Sequence, residues 1–296
     1  MDTLVLFCKS YDKDMYRAKR MAESVNRFNS DNILLYMAVP SKDLNEFEKI
    51  FSHIPCHFIT DEAILEKSIQ VYGKIPKLYP THLIQQLIKL EFWRMGLCAN
   101  YVWLDSDSYF IKPFKIKTFF YDGKTPYIIC HESEELRDFS SRHNKKIIED
   151  FEKMSKKIQG AFNRSGKCYD FGYPPLIWSC HVLETLYKDY LKPRNKSLYE
   201  MLYEYPSEMH LYGEYLLYSK VIPFIPIEPL FKVFHYTEQF LESQMMGESE
   251  LSLSEKYFGI VMQSNWTTIK EKKKTSTRLK KFFRKKFRQL HLLRFN

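Results

Sequence analysis

The sequence predicts a single α/β domain with a mostly parallel, doubly wound central sheet flanked by helices, followed by a basic amphipathic C-terminal helix. Three observations carry this. Apolar, β-rich runs alternate with helix-spaced segments along the first hundred residues, the pattern of a parallel sheet with crossover helices. The chain of 296 residues, 45% hydrophobic and 16% aromatic, can bury one sizeable core. Charge is segregated: residues 270–296 hold twelve Lys/Arg against one Glu, so the net +9 of the chain sits in the tail and residues 1–269 carry −2.

TLVLFC (residues 3–8) is the first strand, and the polar segment after it sets Met15, Ala18, Met21, Ala22 and Val25 at helical spacing. NILLYMAVP (Asn32 to Pro40) is a second apolar strand, Asp43 to Phe51 a helix, and HIPCHFIT a third strand. The prolines of KIPKLYP mark a loop. THLIQQLIKLEFWRMG then brings Leu83, Leu87, Leu90 and Met95 near one face and closes on Gly96, a helix with a C-terminal stop. YVWLDSDSYF (Tyr101 to Phe110) follows as the next strand. The second half is less regular: YIIC (Tyr127 to Cys130), a charged helical segment from Glu134 to Gln159, PPLIWSC, and aromatic pieces around Tyr212 and Phe231. There is no internal repeat and no low-complexity linker before the tail, so the organisation is one domain over 1–269 and a tail over 270–296. In the tail, Leu279, Phe282, Phe283, Phe287, Leu290 and Leu293 recur at three- and four-residue steps, with Lys and Arg between.

These patterns exclude several classes. Six cysteines without any C-x-x-C pair suit reduced, buried thiols rather than a zinc site or a disulfide framework. The N-terminus lacks the features of a signal peptide, and the most apolar stretch, VIPFIPIEPLFKVF, is broken by three prolines and Glu228, so no spanning helix is expected. A cytoplasmic protein is the expectation. Nucleic-acid binding needs a basic folded body, and this body is nearly neutral.

The chemistry concentrates at YVWLDSDSYF. In an open α/β sheet, ligands bind beyond the carboxyl ends of strands, where Asp105 and Asp107 fall. On a continuing extended chain, residues two apart point to one side, so both carboxylates can converge on a hard cation such as Mg²⁺ or Mn²⁺ that also takes substrate phosphates. The alternative is a strand end and turn, a place acids often occupy. Gln86 and Lys89, three apart, share a helix face that is either a polar surface stripe or part of the same site.

With its first strand, the helix bearing IQQLIKLEF and then YVWLDSDSYF, the chain resembles glycosyltransferases of the GT-A fold, especially small bacterial enzymes of surface-polysaccharide synthesis (capsule or lipopolysaccharide), over about residues 3–115. That resemblance implies a D-x-D whose metal bridges the phosphates of a nucleoside-diphosphate sugar, a UDP-sugar foremost. It implies Asp107 as the firmer metal ligand, with Asp105 also able to contact ribose or sugar. Lys9, Tyr11 and Arg17, after the first strand, would seat base, ribose or phosphate; Gln86 and Lys89 would face the donor. A late acid would take the acceptor proton: Glu208 first, Glu214 second, in SEMHLYGEYLLY. His235, in KVFHYTEQ, would be a third metal ligand, and neutral imidazole suits Mn²⁺ better than Mg²⁺. Trp178 would line the sugar side, or else is core. The acceptor would be a lipid-linked glycan, with the basic tail docking the enzyme on anionic lipid at the cytoplasmic face of the inner membrane.

Two other classes stand beside this. A haloacid-dehalogenase-like phosphohydrolase would use Asp105 as nucleophile, but it needs a further strand ending in an acidic pair, which the sequence does not offer. A non-catalytic membrane-surface binder would use the tail alone.

Overall fold

The computed structural model describes residues 2–142 and 147–263, so the basic tail over 270–296 lies outside the described residues. The elements in chain order begin with β1 (Asp2–Lys9), α1 (Met15–Phe28), β2 (Leu35–Val39), α2 (Leu44–Ile50), β3 (His57–Thr60), α3 (Asp61–Tyr72), α4 (Thr81–Glu91) and β4 (Cys98–Asp105). They continue with β5 (Ser108–Phe110), β6 (Ile128–Ile129), α5 (Glu134–Arg142), α6 (Ile147–Ala161), β7 (Leu176–Ser179), α7 (Cys180–Thr185), α8 (Leu198–Glu204) and α9 (Glu208–Ser219). The last are β8 (Pro226–Ile227), β9 (Phe231–Phe234), α10 (Thr237–Met245), α11 (Glu250–Lys256) and β10 (Gly259–Met262).

The main sheet has the order β3-β2-β1-β4-β7. Its first four strands are parallel and β7 runs antiparallel at the edge. Strand alternation divides its side chains between two cores. Val5, Phe7, Tyr101 and Trp103 face one side with Leu87, Leu90 and Tyr212. Leu6, Cys8, Val102 and Leu104 face the other with Met15, Ala18, Met21, Ala22 and Val25. Those five residues are the stripe read from helical spacing, and all are buried. Both faces of the sheet are therefore covered, as in parallel sheets generally.

The strand order reverses at β1, with β2 on one side and β4 on the other. This is a topological switch point, where the loops leaving two neighbouring strands separate and open a crevice at their carboxyl ends. Lys9 and Asp105 are register partners at that end of β1 and β4. A second, three-stranded sheet of order β5-β10-β9 lies downstream of Asp105, with β10 antiparallel to β5 and parallel to β9.

Several expectations are refined. Gly96 adopts the left-handed conformation (φ 68°, ψ 22°) that ends the helical stretch over 81–95, whose last turn is 3₁₀. The charged segment from 134 is two helices, α5 and α6, and α3 and β10 were not read from sequence. Gly213 sits where a Cβ would overlap the buried Phe171 ring, so this position on α9 is small because another segment packs directly on the helix. Among the described residues no helix is long and apolar enough to cross a membrane.

Candidate active site

At the mouth of the switch point the D-x-D departs from the expected extended chain. Residues 106 and 107 form a turn between β4 and β5, closed by a hydrogen bond from Ser108 Oγ to the Asp105 carbonyl oxygen (2.7 Å). Exposure still alternates: Asp105 and Asp107 are half-buried, whereas Ser106 and Ser108 are buried. The main chain of Asp107 is anchored by Met262 N–H, which donates to its carbonyl oxygen (3.0 Å).

Lys89 organises the site. Its ammonium donates to Asp105 Oδ1 (3.0 Å) and Glu208 Oε1 (3.3 Å) and rests 3.9 Å from the centroid of the Trp103 ring. The Lys89 side chain is 12% exposed and that of Glu208 7%, so this is a largely buried bridge between residues from three elements. Burial opposes the lysine's charge, but the two carboxylates outweigh it and hold the Lys89 pKa above its ordinary value. Glu208 enters because α9 begins there, its N-terminal end facing α4. Glu208 Oε2 accepts no hydrogen bond among the described residues.

Gln86, one turn before Lys89, reaches the Pro206 carbonyl oxygen through Nε2 (3.4 Å), tying α4 to the turn that delivers Glu208. Its Oε1 is sealed from solvent with no hydrogen bond, as are Trp103 Nε1, Ser10 Oγ and Asp61 Oδ1. Buried polar atoms without partners are uncommon in folded proteins, and four of them surround this crevice.

The loop after β1 contributes less freely than its composition suggests. Lys9 turns inward and pairs with Asp61 Oδ2 (2.9 Å), its side chain only 4% exposed. Asp61, unread from sequence, is raised to about 6 because burial outweighs the lowering effect of Lys9. Arg17 pairs with Asp14 on its own helix turn. Tyr11 is half-buried in extended backbone; desolvation and the neighbouring Asp14 and Asp12 raise its hydroxyl pKa.

His235 follows β9 and Asp107 precedes β5, so the two lie at one end of the small sheet with β10 between them, two strand spacings or about 10 Å apart. The imidazole packs against Tyr173 (4.5 Å between centroids), and burial pushes its pKa down to about 4, leaving it neutral. It lines a cavity of about 400 Å³ with His131, Asp170 and Tyr173. There Ser133 N–H donates to His131 Nδ1 (3.1 Å), which assigns the ring proton to Nε2, the atom bonded to the Gly172 carbonyl oxygen (2.7 Å). Asp170, 3% exposed, accepts from Gly172 N–H (2.9 Å) and from Ser133 Oγ.

Among the described residues no three His, Cys, Asp or Glu side chains converge as a ready-made metal cage. The donor set at the turn is two half-buried carboxylates, one of them engaged by Lys89. This fits a hard cation that arrives with substrate phosphates, which commonly uses one or two protein carboxylates.

The chain matches a family described as a family of unknown function, DUF6492, over residues 3–286. It belongs to that family. No curated protein sequence matches this DUF6492 chain. Among solved structures it is similar to mouse xyloside xylosyltransferase 1 in its apo form, with a TM-score of 0.50 at 9% sequence identity, covering 91% of this chain and 100% of that one. At that identity the likeness speaks for fold alone, and the fold of this DUF6492 domain is GT-A-like.

Two residues singled out from sequence fall outside the crevice of the DUF6492 chain. Glu214 is fully enclosed on α9, where the Arg164 guanidinium holds both carboxylate oxygens. Trp178 lies in the core at 2% exposure, stacked on Tyr212 (5.0 Å) and edge-on to Tyr101 and Trp103. A β7 position directly opposite Tyr101 on β4 points into the layer beneath α9 and offers no face to a ligand. Asp61, Asp170 and His131 were missed. The usable signal for Asp170 was its place in YDFGYPP, an acid held between aromatics, Gly and a Pro pair.

Proposed function

We propose that the chain is a divalent-metal-assisted glycosyltransferase moving a sugar from a nucleoside-diphosphate sugar, a UDP-sugar foremost, to a hydroxyl of a glycan acceptor. The observation that carries the reading is the Asp105–Lys89–Glu208 bridge beside Asp107, at the switch point of a GT-A-like sheet. It joins a candidate donor-binding pair to a candidate base from far along the chain.

Asp107, with Asp105 beside it, would hold Mn²⁺ or Mg²⁺ together with the donor's phosphates, and His235, neutral and at the same end of the small sheet, would be the third ligand. Such an ion, when bound, neutralises charge developing on the departing diphosphate. Asp105, fixed by Lys89, accepts a hydrogen bond from a ribose or sugar hydroxyl. Glu208 takes the acceptor proton at Oε2 as the hydroxyl oxygen forms its bond to the anomeric carbon. The bond from that carbon to the diphosphate oxygen breaks, its electron pair leaves with the diphosphate, and attack from the opposite face inverts the centre. Lys89 keeps Glu208 and Asp105 at a set separation through this exchange.

The reading extends to surface-polysaccharide assembly on a lipid-linked acceptor, with residues 270–296 attracting the enzyme to anionic lipid at the inner membrane. Its support is the basic amphipathic pattern of that segment. The test of the central claim is calorimetric: UDP binds wild-type protein with Mn²⁺ present and Asp107→Ala protein does not. Equal Mn²⁺-dependent binding by both proteins removes the proposal.

A further inference from the structure

A second concavity, of about 1170 Å³, opens between the α3–α4 connection and the segment over 187–204. None of its lining residues belongs to the Asp105–Lys89–Glu208 group, yet they include Glu204, at the close of α8, from which residues 205–207 lead to Glu208. Its volume exceeds the roughly 300–1,000 Å³ of small-molecule pockets. A single sugar or nucleotide would leave most of it unfilled.

One wall is built of tyrosines, with half-buried Tyr72, Tyr79 and Tyr187 at its surface and Tyr199, 4% exposed, packed behind them. Tyr187 meets Tyr72 at 5.5 Å, Tyr72 meets Tyr199 at 5.6 Å and Tyr199 meets Tyr79 at 6.0 Å, all in edge-on contacts. Hydrogen bonds from Tyr79 Oη to the Tyr199 carbonyl oxygen (2.9 Å) and from Tyr199 Oη to the Gly73 carbonyl oxygen (3.3 Å) tie two of the rings to main chain. Rings held in this way bind with little further loss of rotamer freedom, and amphipathic aromatic surface suits a partner with both apolar faces and hydroxyls. At the rim Tyr203 is 69% exposed and Leu78 95% exposed.

The charges lining the concavity do not cancel. Glu200 is spent capping α8, accepting from Ser197 N–H (2.8 Å) and Oγ (2.9 Å). Glu204 faces Lys196 at 3.6 Å, and Lys157 donates to the Glu204 carbonyl oxygen (2.6 Å). Lys74 and Lys192, on opposite walls, have no ion-pair or hydrogen-bond partner among the described residues. Two exposed, uncompensated ammonium groups in a groove that is also lined by tyrosines complement a chain that alternates sugar rings with negative charge.

We infer that this groove binds an anionic oligosaccharide, with rings against the accessible tyrosines of the wall and rim and acid groups on Lys74 and Lys192. The inference rests on the transferase reading and deepens it, because that reaction calls for a glycan acceptor and the main chain runs from Glu204 in this groove to Glu208. It is tested without donor or metal, so the groove and the transfer reaction fail separately.

The full chain is titrated calorimetrically with four probes: hexagalacturonate, whose charges are carboxylates; a hexamer of hexose units joined through phosphodiesters; neutral maltohexaose; and inorganic phosphate. At least one anionic hexamer is expected to bind, and which one names the acid group. Maltohexaose and inorganic phosphate should each bind at least about tenfold more weakly, since hydrogen bonds to charged groups are among the stronger ones. The Lys74→Ala/Lys192→Ala protein should lose at least about tenfold in affinity for that hexamer, and Lys77→Ala, on the same connection but outside the groove, should lose none. Both lysines are exposed, so folding is preserved. Failure of both anionic hexamers to bind, equal binding of maltohexaose or of phosphate alone, or an unchanged double variant each overturns the inference.

Discussion

Lys89→Met is the substitution that most directly probes how the site is built. It removes the ammonium and retains much of the apolar stem over Trp103. The Coulomb attraction of unit charges at 3.0–3.3 Å is about 5 kcal/mol at an effective dielectric of 20, before desolvation is charged against it. The Asp105 arm counts for less, because that side chain is 35% exposed and solvent screens it. The Glu208 arm dominates: at 7% exposure its carboxylate is stranded when Lys89 is lost, and breaking a buried pair costs about 3–5 kcal/mol. Glu208→Gln instead leaves Lys89 with Asp105 and should cost about 1–2 kcal/mol. The double variant strands nothing, so its cost should fall about 2–3 kcal/mol short of the sum of the singles. Urea unfolding followed by tryptophan fluorescence, with unchanged denaturant slopes, measures all three. Additivity within about 0.5 kcal/mol would refute the bridge as the organising interaction.

Two further predictions concern His235 and the tail. The imidazole of His235 resists protonation in the folded chain down to about pH 4 and titrates near 6.5 when unfolded, so its contribution is fully present above pH 6.5 and is lost as pH falls toward 4. Wild-type protein should lose up to about 3 kcal/mol relative to His235→Gln across that window, and parallel pH–stability curves would contradict it. Deleting residues 270–296 should leave UDP binding with Mn²⁺ intact and abolish sedimentation with anionic liposomes. Equal sedimentation of the two proteins would sink the docking role.

What was legible in the sequence follows from how local each feature is. The parallel strands and α1 show as period and apolar run because every buried residue on them is dictated by the layer it faces: Met15, Ala18, Met21, Ala22 and Val25 share one core with Leu6 and Cys8. β10 was invisible, since GIVM acquires its identity only by lying between β5 and β9. The site divides in the same way. Asp105 and Asp107 could be read because a strand end and its two acids are adjacent in sequence, and the resemblance set Asp107 apart as the firmer ligand, but the hold of Lys89 on Asp105 could not be read. Lys89 makes Asp105 the oriented member, and that follows from a helix side chain reaching across the sheet edge.

Glu208 and Glu214 show where local reasoning stops. Six residues apart on one helix, both are acids among aromatics, and no spacing rule separates a site residue from a core residue there. The distinction is made by what approaches from elsewhere. Lys89 arrives at the first turn of α9 and couples Glu208 to the switch point, whereas Arg164 arrives on another side and encloses Glu214 completely. Glu214 keeps lone pairs beyond the two its guanidinium takes, but at 0% exposure no reacting hydroxyl reaches them, whereas Glu208 meets Lys89 through one oxygen only. The preference for Glu208 over Glu214 as the proposed base therefore rests on enclosure, which is set by the segments that approach α9 rather than by spacing along it.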